Sequence, residues 1–231
     1  MSAPSPPHGR AVKAVIFDVD GVLVDTGRLH FEAWRALARE LGLPPPDERW
    51  FRRTFGRRNE EILKTLLPQP SRDELELERL SRRKEALFRR LAKGKIEPLP
   101  GALALVRALK RRGFRLGIGT STPPENLQMI LKELGLRGAF DAWVTGADVE
   151  RGKPDPEVFL KAAARLGVPP ARCAVIEDAP AGVEAAKRAG MRAVAVTTTA
   201  EPEALQAKGA DLVVGVRALT PEQLEALLEV Q

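Results

Sequence analysis

Asp18 and Asp20, two carboxylates one residue apart, follow the apolar run Ala14–Phe17 and stand directly before Gly21. In an extended chain alternate side chains share a face, so the pair converges just beyond a strand's carboxyl end, where open parallel sheets bind ligands. Carboxylates about 4 Å apart repel by about 4 kcal/mol at an effective dielectric of about 20, so the pair calls for a cation or a retained proton. Asp and Gly are also common turn residues, and the DVDG run by itself fits a strand followed by an acidic turn.

Three more clusters have the types and settings for related chemistry. Thr120, Ser121 and Thr122 precede Pro123 and Pro124. Hydroxyls and backbone N–H groups at a helix start form a phosphate cradle, and the same residue types serve as plain helix caps. Lys153 lies in GKPDP, where Pro154 and Pro156 restrict the backbone and favour a fixed ammonium over a freely solvated one. Glu177 and Asp178 close the apolar run CAVI. Their oxygens suit octahedral Mg²⁺, and Asp178 also suits the cap of the helix that follows. A carboxylate, a hydroxyl, an ammonium and a metal are what phosphoryl transfer needs to stabilise its charged transition state.

Such a site requires a scaffold that brings distant strand ends together. From Leu99 onward helix and strand alternate. GALALVRALKRRG, closed by Gly113, leads to the strand FRLGIGT, a helix over 124–134 to DAWVTG, and a helix over 156–166 to CAVIED. A helix over 179–189 then precedes AVAVT, a helix over 202–208 precedes DLVVG, and a last helix covers 221–230. That order predicts an α/β fold, a right-handed doubly wound parallel sheet with helices on both faces. Between the first strand and FRLGIGT the chain is far longer than a crossover helix requires. Helical spacing over 27–42, 47–67 and 72–93, broken by PPP at 44–46 and by Pro68 and Pro70, predicts an inserted α-helical cap. The expected domains are a core of 11–26 and 97–231, a cap of 27–96, and a proline-rich disordered tail of 1–10 that includes His8.

DVDG at 18–21, the strand-end Thr120, Lys153 in GKPDP and the Glu177–Asp178 pair resemble, in order, the four motifs of the haloacid dehalogenase-like (HAD) superfamily. The resemblance implies a Rossmann-like core with Asp18 as nucleophile and Asp20 as general acid and base. It implies Thr120 on the transferring phosphoryl group, with Ser121 and Thr122 beside it, and Lys153 tying nucleophile to phosphate. It also implies Mg²⁺ held by Asp18, the backbone carbonyl of Asp20, Asp178 and, directly or through water, Glu177. The stretch DTGRLHFEAWRALARELGL is similar to the first cap helix of the β-phosphoglucomutase-like branch. That similarity implies positions near substrate or hinge for His30 and Trp34, with packing inside the cap as the other reading of both. FGRRNEEIL is similar to the branch's substrate-facing cap loop, which implies substrate contacts for Arg57, Arg58 and Asn59. Asn59 stands where sugar mutases carry an arginine for a second phosphate.

With 231 residues, 44% hydrophobic and 29% charged, the chain has the size and balance of a globular core with an insert. No apolar run spans a bilayer and the amino terminus lacks a secretory apolar core, so a cytoplasmic protein without a membrane partner is expected. Cys173, the single cysteine, has apolar neighbours and is expected to be buried. The net charge of +6 suits an anionic ligand. Charge alternates in sign along SRDELELERLSRRKEALFRR, the pattern of a solvated helix, and aromatics are only 5%, so no nucleic-acid partner is expected. The function expected is a Mg²⁺-dependent phosphatase acting on a small phosphorylated metabolite, such as a sugar phosphate, through an aspartyl-phosphate. A sugar phosphomutase is the nearest rival; a non-catalytic phosphosugar or nucleic-acid binder is the rival from another class.

Overall fold

In the computed structural model, which describes residues 13–54, 57–68 and 73–229, the apolar run Ala14–Phe17 is strand β1, fully buried. The tail with His8 lies outside the described residues. After β1 come four helices, α1 (Gly27–Glu40), α2 (Glu48–Thr54), α3 (Asn59–Leu66) and α4 (Glu74–Ala92). Helix α5 (Ala102–Arg111) then opens an alternation: β2 (Arg115–Gly119), α6 (Pro124–Glu133), β3 (Ala142–Val144), α7 (Glu157–Leu166) and β4 (Cys173–Glu177). It continues through α8 (Pro180–Arg188), β5 (Arg192–Val196), α9 (Pro202–Gln206), β6 (Leu212–Val214) and α10 (Pro221–Glu229).

The six strands form one parallel sheet in the order β3-β2-β1-β4-β5-β6. The order reverses beside β1, which makes the carboxyl ends of β1 and β4 the switch point where such sheets bind ligands. Val15 and Phe17 of β1 join one apolar layer with residues of α5, α6 and α10, whereas Ala14 and Ile16 join the layer of α7, α8 and α9. Both faces are covered, which is why the strands read as unbroken apolar runs. Cys173 lies in this core, where burial pushes its thiol up to about 12.

The cap has an apolar core of its own, in which Trp34 and Leu37 of α1 meet Leu63 of α3 and Leu80, Leu87 and Phe88 of α4. Helix α1 stops where Gly42 turns left-handed, φ +69°, and the Leu43 N–H reaches the Ala38 carbonyl at 2.8 Å. The single helical segment expected over 47–67 is two helices. Asp47 Oδ1 accepts from the Trp50 N–H at 2.7 Å and starts α2; at its end Thr54 Oγ1 folds back onto the Trp50 and Phe51 carbonyls at 3.0 and 3.2 Å. Arg58 is extended, φ −65° and ψ 146°, and α3 begins after it. Cap and core join at two adjacent segments: Val24 and Pro98 form an antiparallel bridge, and the Leu99 N–H donates to the Leu23 carbonyl at 2.9 Å. Among the described residues no helix is long and apolar enough to cross a membrane.

Candidate active site

The register of the sheet aligns three strand ends. Phe17 is level with Ile118 of β2 and Ile176 of β4, so Asp18 neighbours Gly119 and Glu177, and the Asp18 N–H donates to the Ile176 carbonyl at 3.0 Å. Carboxylate oxygens of Asp18, Glu177 and Asp178 lie within 4.8 Å of one another, and all three residues are buried. Lys153, in the loop between β3 and α7, brings Nζ to 3.1 Å from Asp18 Oδ1 and pairs with Glu177 Oε1, with the Phe159 ring centroid 5.0 Å away. Two glycines make room for these acids. Gly21 has φ +78°, and a β-carbon there would lie 1.9 Å from Asp178 Oδ2; one on Gly182 would lie 2.0 Å from Glu177 Oε1.

Burial raises the Asp178 carboxyl well above its ordinary pKa, and the charges of Glu177 and Asp18 add to the effect. Glu177 is raised by burial too, against the pull of Lys153. Burial acts to lower Lys153, but the charges of Asp18 and Glu177 outweigh it and hold the ammonium protonated. Ionising all three carboxylates beside one ammonium would leave two negative charges in a poorly hydrated space, the charge a divalent cation offsets. Asp18 Oδ1 is buried without a hydrogen-bond partner, its contact with Lys153 lying off the hydrogen-bonding direction. An all-oxygen donor set with one oxygen unsatisfied fits a hard divalent ion. Glu177 Oε2 is already engaged, accepting from the Asp178 and Ala179 N–H groups at 3.0 and 3.1 Å.

The Asp20 side chain stands apart from this cluster. Its Oδ1 accepts from Thr26 Oγ1 and its Oδ2 from Thr122 Oγ1 at 2.6 Å. Burial raises its pKa; the two hydroxyls oppose that shift, Asp18 adds to it and Lys84 opposes it, and the net direction is upward. Thr120 Oγ1 donates to Thr122 Oγ1 at 3.0 Å and accepts from the Thr122 N–H at 3.2 Å, while Ser121 between them is exposed.

In the cap, His30 stacks on Phe88 with centroids 3.9 Å apart, and its Nδ1 is 2.7 Å from Lys84 Nζ. A charged lysine only donates, so Nδ1 accepts and the ring proton sits on Nε2. Trp34 packs in the cap core, 6.0 Å from Trp50 and 5.1 Å from Lys84 Nζ. Asn59 Nδ2 donates to Glu85 Oε1 at 2.7 Å. Arg57 and Arg58 are exposed, and among the described residues neither guanidinium pairs with a carboxylate. Arg58 reaches the core loop, its Nε 3.4 Å from where a β-carbon on Gly152 would stand.

Five residues escaped the sequence reading. Thr26 and Thr199 hold Asp20 and Asp178 through their hydroxyls. Thr199 follows β5, and asking what the next strand end supplies would have found it. Lys84 and Glu85 fall in the pattern of alternating charge that predicts a solvated face, yet both are buried, because adjacent opposite charges neutralise each other, 2.8 Å apart. Asn126, which bonds Glu85, carries no sequence signal at all.

A doubly wound parallel sheet with a helical cap above an acid-lined switch point defines the class, a capped Rossmann-like α/β protein with a buried acidic centre. The family model for haloacid dehalogenase-like hydrolases matches residues 12–190, and the chain belongs to that family. It is 39% identical over 210 residues to β-phosphoglucomutase of Bacillus subtilis, a match covering 88% of this chain and 89% of that one. It is 38% identical over 186 residues to the phosphorylated carbohydrates phosphatase of Thermotoga maritima, covering 79% and 84%. Over 184 residues it is 36% identical to the fructose-1-phosphate phosphatase YqaB of Escherichia coli, covering 79% and 95%. Among solved structures, β-phosphoglucomutase from Clostridium difficile superposes with a TM-score of 0.81 at 30% identity, covering 94% and 97% of the two chains.

Proposed function

We propose that the protein is a Mg²⁺-dependent phosphatase that hydrolyses a small phosphomonoester, a sugar phosphate or similar metabolite, through an aspartyl-phosphate on Asp18. The observation that carries this reading is the buried Asp18–Lys153–Glu177–Asp178 cluster at the sheet's switch point. Two of the phosphatases among the relatives, those of phosphorylated carbohydrates and of fructose 1-phosphate, support the substrate class.

Asp18, Asp178, Glu177 and the backbone carbonyl of Asp20 would hold Mg²⁺, which when bound neutralises charge on the phosphoryl oxygens. Lys153 keeps the Asp18 carboxylate and a phosphoryl oxygen together despite their repulsion, and Thr120, Ser121 and Thr122 hold another oxygen. An Asp18 oxygen attacks phosphorus as the bond to the leaving oxygen breaks, and Asp20, its proton retained by a raised pKa, protonates that oxygen. Asp20, now a carboxylate, takes a proton from a water whose oxygen attacks phosphorus. The bond from phosphorus to Asp18 breaks, and orthophosphate leaves with both acids restored. Residues 27–96 act as cap over a core of 11–26 and 97–231, excluding bulk water and selecting the leaving group, with His30, Arg57 and Arg58 turned to the substrate.

Phosphate release across a panel of phosphorylated metabolites, with Mg²⁺ and with a chelator, tests this reading. Release should require the metal, and Asp18→Asn should fold normally yet turn over slower by about 10⁴-fold or more. Turnover indifferent to chelator or to that substitution refutes it. The β-phosphoglucomutase relative favours a mutase as the second reading. Against it, Asn59 offers no cation and its amide is engaged by Glu85. Glucose 1-phosphate with a bisphosphate primer separates the two: free phosphate marks a hydrolase, the 6-phosphate a mutase.

A further inference from the structure

The chemistry proposed above leaves one buried carboxylate without a role. Glu85 of α4 is 6% exposed, and its oxygens carry three partners: Lys84 Nζ at 2.8 Å and Asn59 Nδ2 at 2.7 Å on Oε1, and Asn126 Nδ2 at 2.6 Å on Oε2. Lys84 and Asn59 belong to the cap, but Asn126, wholly buried, belongs to α6 of the core. Chemistry fixes the Asn126 amide. Its Oδ1 accepts from Arg89 Nη1 at 2.9 Å, and because arginine only donates while a carboxylate only accepts, the amide nitrogen must face Glu85.

The same side of α6 continues the contact. Met129 packs against the cap's apolar core, and Glu133 accepts from the Gly94 and Ile96 N–H groups at 2.9 and 3.3 Å, where the cap chain returns to the core. Positions 126, 129 and 133 share one face of a helix, so α6 seats the cap along its length. Its first turn also follows the Thr120–Thr122 loop, and Thr122 holds Asp20.

We propose that Glu85 is a positioning residue that, through Asn126, latches the cap to α6 and holds the Lys84–His30 pair in place above the core. Without the latch the cap leaves its seat, whereas the groups around phosphorus, all supplied by the core, stay assembled. The kinetic consequence rests on the phosphatase reading; the latch itself does not.

Glu85→Gln and Asn126→Leu break the bridge from opposite sides. Small-angle X-ray scattering of the free proteins should give a larger radius of gyration for each variant than for the wild type, with unchanged circular dichroism. On an alkyl phosphomonoester that the wild type hydrolyses, kcat/KM should fall about 100-fold. On p-nitrophenyl phosphate, whose leaving group departs readily without contacts from the cap, it should change less than about 3-fold. The double variant should be no slower than the slower single. Wild-type scattering in both variants, or equal losses on the two esters, overturns the latch. A wild type that hydrolyses neither ester refutes the phosphatase reading instead, and the scattering then decides the latch alone.

Discussion

Gly21 is held by two constraints at once, a left-handed backbone and the Asp178 carboxylate in the space a side chain would fill. Gly21→Ala should displace Asp178, cost about 1–3 kcal/mol of stability and raise the Mg²⁺ concentration that turnover needs; metal titration and thermal unfolding check both effects. His30 leads to a pH effect. Burial and the Lys84 charge push its imidazole from 6.5 down to about 3, so between those values the unfolded chain binds a proton the folded one refuses, and stability falls as pH falls. Glu85 behaves alike lower down: burial would raise it, but Lys84 and its other partners bring it from 4.5 to about 2, so its contribution is complete above 4.5 and is lost on the way to 2. The raised acids Asp20, Glu177 and Asp178 run the other way in any variant and cancel in a comparison. Thermal melts of wild type and His30→Asn between about pH 4 and 8 should therefore run parallel above about 6.5 and differ in slope below it, the variant being flatter; curves parallel throughout contradict this. Asp18, Lys153 and Asp178 were legible because each sits at a strand end or in a proline-fixed loop. Lys84, Glu85 and Asn126 were not, because their burial depends on helices from three parts of the chain meeting.

At the scale of elements, the strands were the readable part: both faces of the sheet are covered, so each appears as an apolar run between turns. The split of the 47–67 segment into α2 and α3 was less so, since Thr54 bonding back to its own helix is a local event that periodicity does not register. The cap helices pack chiefly on one another, with Leu63 fully buried among them. Leu63→Ala should destabilise the cap by about 2–5 kcal/mol, seen as faster amide hydrogen exchange in α3 and α4 with β1 and β4 unchanged. Equal acceleration in the sheet would show instead that cap and core unfold as one.

For the whole molecule, the doubly wound parallel sheet and the presence of an insert followed from the alternation of patterns along the chain; the order of the strands within the sheet and the seat between the two bodies did not. That seat is polar at both ends, Asn126 and Glu133, with Met129 between them. The cap begins just after Val24 and ends just before Pro98, and these two residues are bridged to each other. An insertion whose ends touch imposes almost no strain on its host, so the helical cassette is exchangeable: descendants of one catalytic sheet can acquire new tastes by swapping the hood while the machinery beneath is inherited intact.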